Sequence, residues 1–384
     1  MKLFLIAGEP SGDRLGGALM AGLRSLEPVE FAGVGGPLME AEGLSSLFPM
    51  EELSVMGIAE VLPKYLHLKR RIAQTAQAVL DSGAAALITI DSPDFCLRVA
   101  RIVRAARPGF RTIHYVAPSV WAWRPGRAAK MAQVVDHVLA LLPFEPPLMQ
   151  AAGMTCDFVG HPVVAEPVAD AAEVARFATA QGLDRPWLLA LPGSRRGEVA
   201  RLAPVIGQVL HEVDLPVVLP TVRGVEGLVR DLTAGWPRSP RIVTDAADKR
   251  AAFAGARVAL AASGTVSLEL AANGVPMVIA YDMNWLSRVL ISRLLRVDTV
   301  TLVNLVADSR TVPEFLGPRC RADLIAPALA ALIPDGAARA AQAQAMALTM
   351  DRLGQGRAPP GLRAARSVLA HLGGAPLAPR RPIR

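Results

Sequence analysis

Short apolar runs, each closing on Gly, Pro, Ser or Asp and each followed by a helix-like segment, recur along these 384 residues. In the first half they include Leu3–Ala7, Ala86–Ile90, Thr112–Val116 and His137–Leu142. The second half repeats the pattern with Trp187–Leu191, Pro216–Pro220, Arg241–Thr244, Val258–Ala261 and Pro276–Ala280. A continuous apolar run, unlike an alternating one, is buried on both faces. Recurrence of such runs between helices therefore predicts parallel sheets covered by crossover helices, an α/β architecture. A chain this long exceeds what one core usually serves. The prolines at 162 and 167, followed by an acidic helix start, place a linker near Gly160–Asp170. The expected domains are residues 1–165, residues 166–352, and a C-terminal helix with a basic tail, 353–384. Two halves of similar size predict two Rossmann-like, doubly wound domains facing across a cleft, with ligands at the carboxyl ends of the strands.

Although 52% of the residues are apolar, charges interrupt every stretch long enough to span a bilayer. The opening MKLFLIAGEP is too short in its apolar core for a secretory signal, so a cytoplasmic protein is expected. Three cysteines, Cys96, Cys156 and Cys320, stand far apart with no CxxC and no clustered histidines. Free buried thiols are expected, with no metal site. A net charge of +7 points to phosphate-bearing partners. Nucleic acid is not among them, because zinc-finger spacing, an aromatic RNA-binding strand and long basic blocks are all missing.

Five strand ends hold the candidate chemistry. The first, AGEPSGD, follows a strand with glycines, Glu9, Ser11 and Asp13. It suits a phosphate cradle, and equally an ordinary turn in which Ser11 or Asp13 caps the helix. The second, ITIDSPDF, ends a strand on Asp91, a carboxylate suited to accept a proton from an attacking hydroxyl, with Asp94 as the expected N-cap of the next helix. The third, HYVAPSVWAWRPGRAAK, sets Trp121 and Trp123 beside Arg124, Arg127 and Lys130, either as a surface for sugars, acyl chains and phosphates or as packing between domains.

The fourth, LLALPGSRRGEV, breaks at Pro192 and places Gly193, Ser194, Arg195 and Arg196 before a helix. Backbone donors at a helix start together with a guanidinium suit a phosphate leaving group. The fifth, ASGTVSLE, offers Ser263, Gly264 and Thr265 at a helix start, with Glu269 a turn later, placed to accept from the hydroxyls of a ribose. Local pairing of Thr265 with Glu269 is the plain alternative. No cofactor or metal is called for at any of these points.

Taken in order, AGEPSGD, EELSVMGIAEVL, IDSPDF, HYVAPSVWAWRPGR, LPFE, FVGHP, LPGSRRGEV, ASGTVSLE, PMVIAY and TLVNLV resemble the lipid-A-disaccharide synthases, inverting glycosyltransferases of the two-domain GT-B type. The likeness covers nearly the whole chain. It implies transfer from UDP-2,3-diacylglucosamine to 2,3-diacylglucosamine 1-phosphate (lipid X), giving a β-1,6 disaccharide 1-phosphate and UDP without a cofactor. By position it implies Asp91 as general base and Arg195 on the diphosphate. Ser194, Ser263, Gly264, Thr265, Glu269 and Asn304 fall on the nucleotide and donor side, with the nucleoside in the C-terminal half. Glu9 and Ser11 fall on the N-terminal loop lining the opposite wall of the same cleft, near the sugar, the acceptor or the diphosphate edge. Pro10, Val303 and the segment EFLG (314–317) depart from the family's pattern. A homodimer is among the assemblies it implies.

Acylated substrates imply work at the inner face of the cytoplasmic membrane, as a peripheral protein. Two segments suit that surface. VLPKYLHLKRRI mixes leucines and Tyr65 with Lys69 and Arg70. WLSRVLISRLLRV sets Arg288, Arg293 and Arg296 within a roughly 140° arc of a helix, although a core helix with a solvated edge would read alike.

Overall fold

The computed structural model describes residues 1–53, 58–124, 126–283 and 297–373, with backbone alone for 58–65. The chain divides into two compact units: Met1–Pro162 together with the chain from Gly356 onward, and Val163–Gln355. The change of unit at Pro162 falls inside the expected linker. The one at Gln355 assigns the C-terminal helix to the first unit.

In the first unit six parallel strands, β1 (Lys2–Ala7), β2 (Glu30–Val34), β3 (Ala86–Ile90), β4 (Arg111–Tyr115), β5 (His137–Ala140) and β6 (Thr155–Phe158), lie in the order β2-β1-β3-β4-β5-β6. The second unit repeats the device with β7 (Trp187–Leu191), β8 (Val217–Pro220), β9 (Arg241–Val243), β10 (Ala256–Ala262), β11 (Met277–Tyr281) and β12 (Glu314–Leu316), in the order β12-β11-β10-β7-β8-β9. β3 and β7 are buried along their whole length, because helices cover both faces of each sheet. Strand order reverses between β1 and β3 in one unit and between β7 and β10 in the other. At each reversal the following helices diverge to opposite faces and leave a crevice at the strand ends. The loops after β1, β3, β7 and β10 are four of the five motifs singled out in the sequence.

Local chemistry sets the helix starts. Proline opens α1 (Pro10–Leu26), α2 (Pro37–Ala41) and α4 (Pro93–Ala106). Its missing N–H costs nothing at a first turn, so the family departure at Pro10 is structurally neutral. The linker closes on a capping box: Glu173 N–H donates to Asp170 Oδ1 (2.8 Å) and Asp170 N–H to Glu173 Oε2 (2.9 Å). α3 (Ile58–Asp81) runs between β2 and β3.

The C-terminal helix, Pro360–Gly373, packs on α1. A Cβ on Gly22 would stand 2.7 Å from Gly361 O, and one on Gly361 2.4 Å from Ala18 O, so small residues let the two backbones approach. Leu15, Leu19 and Leu23 of α1 share a core with Ala364, Ala365 and Val368. Each such buried leucine contributes about 1.5–3 kcal/mol. Cys96, Cys156 and Cys320 are free and buried, as their spacing implied. No described helix is long and apolar enough to cross a membrane.

Candidate functional site

In the second unit the loops after β7 and β10, the end of β8 and the helix Ala246–Ala254 enclose a pocket of about 440 Å³. Leu191 and Pro220 form part of its wall. Gly193, Ser194 and Arg195 come from one loop, and Ser263, Gly264 and Thr265 from the other. Gly193 has φ +112°, and a Cβ there would meet Glu198 Oε2 at 2.6 Å, so only glycine fits the turn. Glu198 reaches back to the start of its own helix: Arg195 N–H donates to Oε2 (3.4 Å) and Arg195 Nη1 to Oε1 (3.0 Å). The Arg195 side chain is nevertheless 63% exposed, so it can turn into the pocket at little cost.

Gly264, at φ +151°, faces open space. Thr265 takes the N-cap position of the helix Val266–Ala272 without a side-chain cap bond. It bonds Glu269 through the backbone alone, Glu269 N–H donating to Thr265 O. The carboxylate of Glu269 is held elsewhere, accepting from Lys249 Nζ at 2.7 Å, and that ammonium lies 5.2 Å from the centre of the Phe253 ring. The pocket thus carries two ion pairs, Arg195–Glu198 and Lys249–Glu269, beside two glycine-bearing loops. This is an arrangement for an anion that also presents hydroxyls.

Lys249 was not legible: it sits in an ordinary helix behind the cap residue Asp245. Glu198 could have been found from its capping-box spacing to Arg195. Asn304, by contrast, does not line the pocket. It is 1% exposed, and its amide is spent on its own loop: Nδ2 donates to Val312 O (2.9 Å) and Thr299 Oγ1 (3.2 Å), and Oδ1 accepts from Val312 N–H (3.0 Å). In this arrangement its amide braces the loop it belongs to.

In the first unit Asp91 ends β3 as expected, with its N–H still on the ladder to Tyr115 O (3.0 Å). Its φ is +51°, and Ser92 follows at +42°. Beside them Val116, leaving β4, stands at +84°. Three non-glycine residues in left-handed conformations at adjacent strand ends are costly, by about 1–3 kcal/mol each, and such strain concentrates where a side chain must be aimed. Burial pushes the Asp91 carboxyl above the ordinary aspartate range, against a backbone hydrogen bond from Ser92 that lowers it.

The Ser92 hydroxyl is buried without a hydrogen-bond partner. It rests against Gly8, where a Cβ would come within 2.7 Å of it. Ser92 also takes the N-cap position of α4, so Asp94 lies inside the first turn and is not the expected cap. The AGEPSGD loop is corrected likewise. Glu9 is the N-cap of α1 without a side-chain cap bond, and Ser11 is exposed in the first turn. Asp13 serves a different helix: its carboxylate accepts from Gly36 (2.9 Å), Leu38 (3.0 Å) and Met39 (3.0 Å), the start of α2. Glu9 and Ser92 line a pocket of about 410 Å³.

The tryptophan motif is half-buried. Trp121 meets Phe144 edge to face at 5.5 Å, and the guanidinium of Arg124 lies 4.3 Å from the centre of the Trp123 ring. Arg70 is exposed on α3. The side chain of Tyr65, and Arg288, Arg293 and Arg296 altogether, lie outside the described residues. Among the described residues no group of three His, Cys, Asp or Glu could hold a metal ion.

The family model described as lipid-A-disaccharide synthetase matches residues 3–359. A lipid-A-disaccharide synthase of Ruegeria pomeroyi is 62% identical over 389 residues, covering 97% of this chain and 96% of that protein. The chain belongs to the lipid-A-disaccharide synthase family. A second synthase, from Rhodospirillum centenum, is 50% identical over 96% of this chain and 94% of its own length. Among solved structures, the UDP-GlcNAc 2-epimerase of Neisseria meningitidis shares the fold at TM-score 0.65. It is 10% identical, covering 97% of this chain and 99% of that one. Membership of the synthase family makes the chain a glycosyltransferase of lipid A biosynthesis with a GT-B-type α/β fold.

Proposed function

We propose that this synthase joins UDP-2,3-diacylglucosamine to lipid X, forming the β-1,6 disaccharide 1-phosphate with one inversion at the anomeric carbon. Asp91 takes the proton from the acceptor's 6-hydroxyl. As the new C1–O6 bond forms, the bond from C1 to the diphosphate breaks and UDP leaves with the electron pair. An acid with its pKa raised by burial is a better base near neutral pH than a solvated aspartate. Its strained turn supports a fixed aim.

Arg195 leaves Glu198 for the diphosphate, where charge builds up in the transition state. Ser194, Ser263, Gly264 and Thr265 supply further donors, and Glu269 accepts from the ribose hydroxyls. Glu9 and Ser11 belong to the acceptor side. The observation that carries this reading is the convergence of the β7 and β10 loops on one pocket with Arg195 and Glu269 on its lining.

Acylated substrates make the inner surface of the cytoplasmic membrane the place of work. Net charge +7, Leu66 at 67% exposure on α3, and the exposed Arg70 beyond it support peripheral binding to anionic lipid. Sedimentation of the purified protein will tell whether the working form is a homodimer.

The test is turnover by the purified chain in detergent micelles with diacylated donor and lipid X, product identified by mass and linkage. Disaccharide 1-phosphate with stoichiometric UDP is expected. Rapid turnover of unacylated UDP-sugars, with none of the diacylated donor, would overturn the assignment.

A further inference from the structure

Of the five strand ends, the tryptophan motif is the one that the proposed reaction leaves without a role. Its loop is bracketed by two non-glycine residues in left-handed conformations, Val116 at φ +84° and Arg124 at φ +51°. Such positions persist only where the surroundings hold the chain. Inside the loop Ala117 and Val120 are buried in the core, and the Trp121 ring meets Phe144 edge to face at 5.5 Å. Phe144 stands in the next loop, between β5 and the helix Pro146–Ala151. The two loops leave neighbouring strands, since β4 pairs with β5.

Beside Phe144 in the chain, Glu145 is 3% exposed. Its Oε2 accepts from Leu142 N–H at 2.9 Å. Burial raises its carboxyl to about 7, against the N–H groups of Leu142, Trp121 and Leu141, which lower it. Among the described residues no charged side chain contributes to that shift. The titratable group facing it from β6 is Cys156, whose thiol burial pushes up to about 12 and so keeps neutral. Trp121 Nε1 is itself buried with no hydrogen bond completed. The groups around this carboxyl are donors, which suit its ionised form, and protonation takes an acceptor position from them.

The same loop begins next to Asp91. Tyr115, the last residue of β4, accepts from Asp91 N–H at 3.0 Å, and Val116 follows it directly.

We propose that Glu145 is a positioning residue: its carboxylate ties the indole N–H of Trp121, and the tie holds the loop 116–124 and the strand end that aims Asp91. Ionised, Glu145 accepts from both Trp121 and Leu142. Protonated, it lets the indole go, so the loop loosens as pH falls through neutrality. The tie stands by itself, whereas its effect on turnover rests on the reading of Asp91 as base.

The experiment follows the indole N–H signals of the isotope-labelled full chain by NMR between about pH 5.5 and 8.5. Five tryptophans give one signal each, and the one missing from Trp121→Phe is that of Trp121. In wild type it should move downfield as pH rises, with a midpoint near 7. In Glu145→Gln it should stay fixed. At the alkaline end kcat should fall about tenfold in Glu145→Leu and in Trp121→Phe, and no further in the double variant, because each removes the same bond. Glu145→Gln, which still offers an amide oxygen, should recover part of that loss. UDP binding should stay at its wild-type value throughout. Trp121→Phe keeps a ring against Phe144 and removes the N–H, so it carries the test if Glu145→Leu does not fold.

A Trp121 signal that ignores pH in wild type, or still titrates in Glu145→Gln, overturns the proposal. Full kcat in Trp121→Phe, or additive losses in the double variant, overturn it too. Failure of the base reading looks different: Asp91→Asn keeps its turnover while the Trp121 signal titrates as before.

Discussion

Both units put their chemistry where strand order reverses, yet they equip that place in opposite ways. The second unit offers glycines, exposed side chains and two loose ion pairs, Arg195–Glu198 and Lys249–Glu269. The first offers a half-buried carboxylate, Asp91, on a strained left-handed turn. Holding a multiply charged leaving group calls for cations that exchange partners readily, and solvated pairs cost little to break. Moving a single proton calls for one carboxylate, poorly solvated and fixed in direction. On the proposed reading, the same topology serves charge binding in one unit and proton transfer in the other.

The contrast breaks first at Asp91. Asp91→Asn should lower kcat by about 10²–10⁴-fold while UDP binding by calorimetry stays at its wild-type value. Weakened UDP binding would mean that Asp91 belongs to the nucleotide site. Next comes Arg195→Ala, with an expected loss of about 10²–10³ in kcat and a much smaller rise in donor Kd, since the charge it meets develops during reaction. A loss confined to Kd would make Arg195 a ground-state anchor.

Lys249→Met sharpens the second unit's side. Releasing the Glu269 carboxylate should weaken UDP about two- to fivefold, with 2′,3′-dideoxy-UDP little affected. Equal weakening of both nucleotides would remove Lys249 from any role in ribose recognition.

A smaller effect appears with pH. As the proposed base Asp91 must act ionised, and burial raises its pKa, so the acid limb of kcat/KM should lie above the ordinary aspartate range. It should stay there in Arg195→Ala. A limb at the ordinary aspartate value would argue for a solvated base.

Acid stability extends the comparison to the folds themselves. Burial lowers His114, His137 and His161 to about 4, and His371 is lowered by the same cause; all four belong to the first unit. His137 and His371 stack at 4.7 Å, and Ser367 Oγ lies 2.8 Å from His137 Nε2 while donating to Asp157 Oδ2 (2.6 Å). A histidine held neutral stabilises the fold above its unfolded pKa, about 6.5, and that contribution fades as pH falls towards 4. Glu145, raised to about 7 by burial, works the other way over its own range, but the histidines outnumber it. Hydrogen exchange between pH 6.5 and 4 should therefore show the first unit losing protection before the second. Simultaneous loss, or the reverse order, would contradict the assignment of acid sensitivity to these histidines.

Much of this was legible in the sequence, and the misses share a physical cause. Runs buried on both faces, such as Ala86–Ile90 and Trp187–Leu191, read directly as strands and match β3 and β7. The strands that escaped, β2, β6 and β12, all lie at sheet edges, where one side of the strand meets solvent or loop and no apolar run forms. A pocket-lining loop was legible where a strand end carried glycine with a charge, as at Gly193–Arg195. At Asn304 the bracing of its loop was not legible, because a buried amide that braces a loop has the same composition as one that binds a sugar. Lys249 lies in an unremarked helical turn, and only the packing of its helix brings it to a pocket.

The return of the C-terminal helix to α1 also has a bearing on synthesis. Residues 163–355 leave the ribosome as one continuous stretch, so the second unit has all its chain while the first still lacks Pro360–Gly373. Until those residues emerge, Leu15, Leu19 and Leu23 have nothing from Ala364, Ala365 and Val368 to cover them. The first unit to be translated is thus the last to be finished. In that interval the nascent chain carries an uncovered apolar stripe of the sort that chaperones shelter.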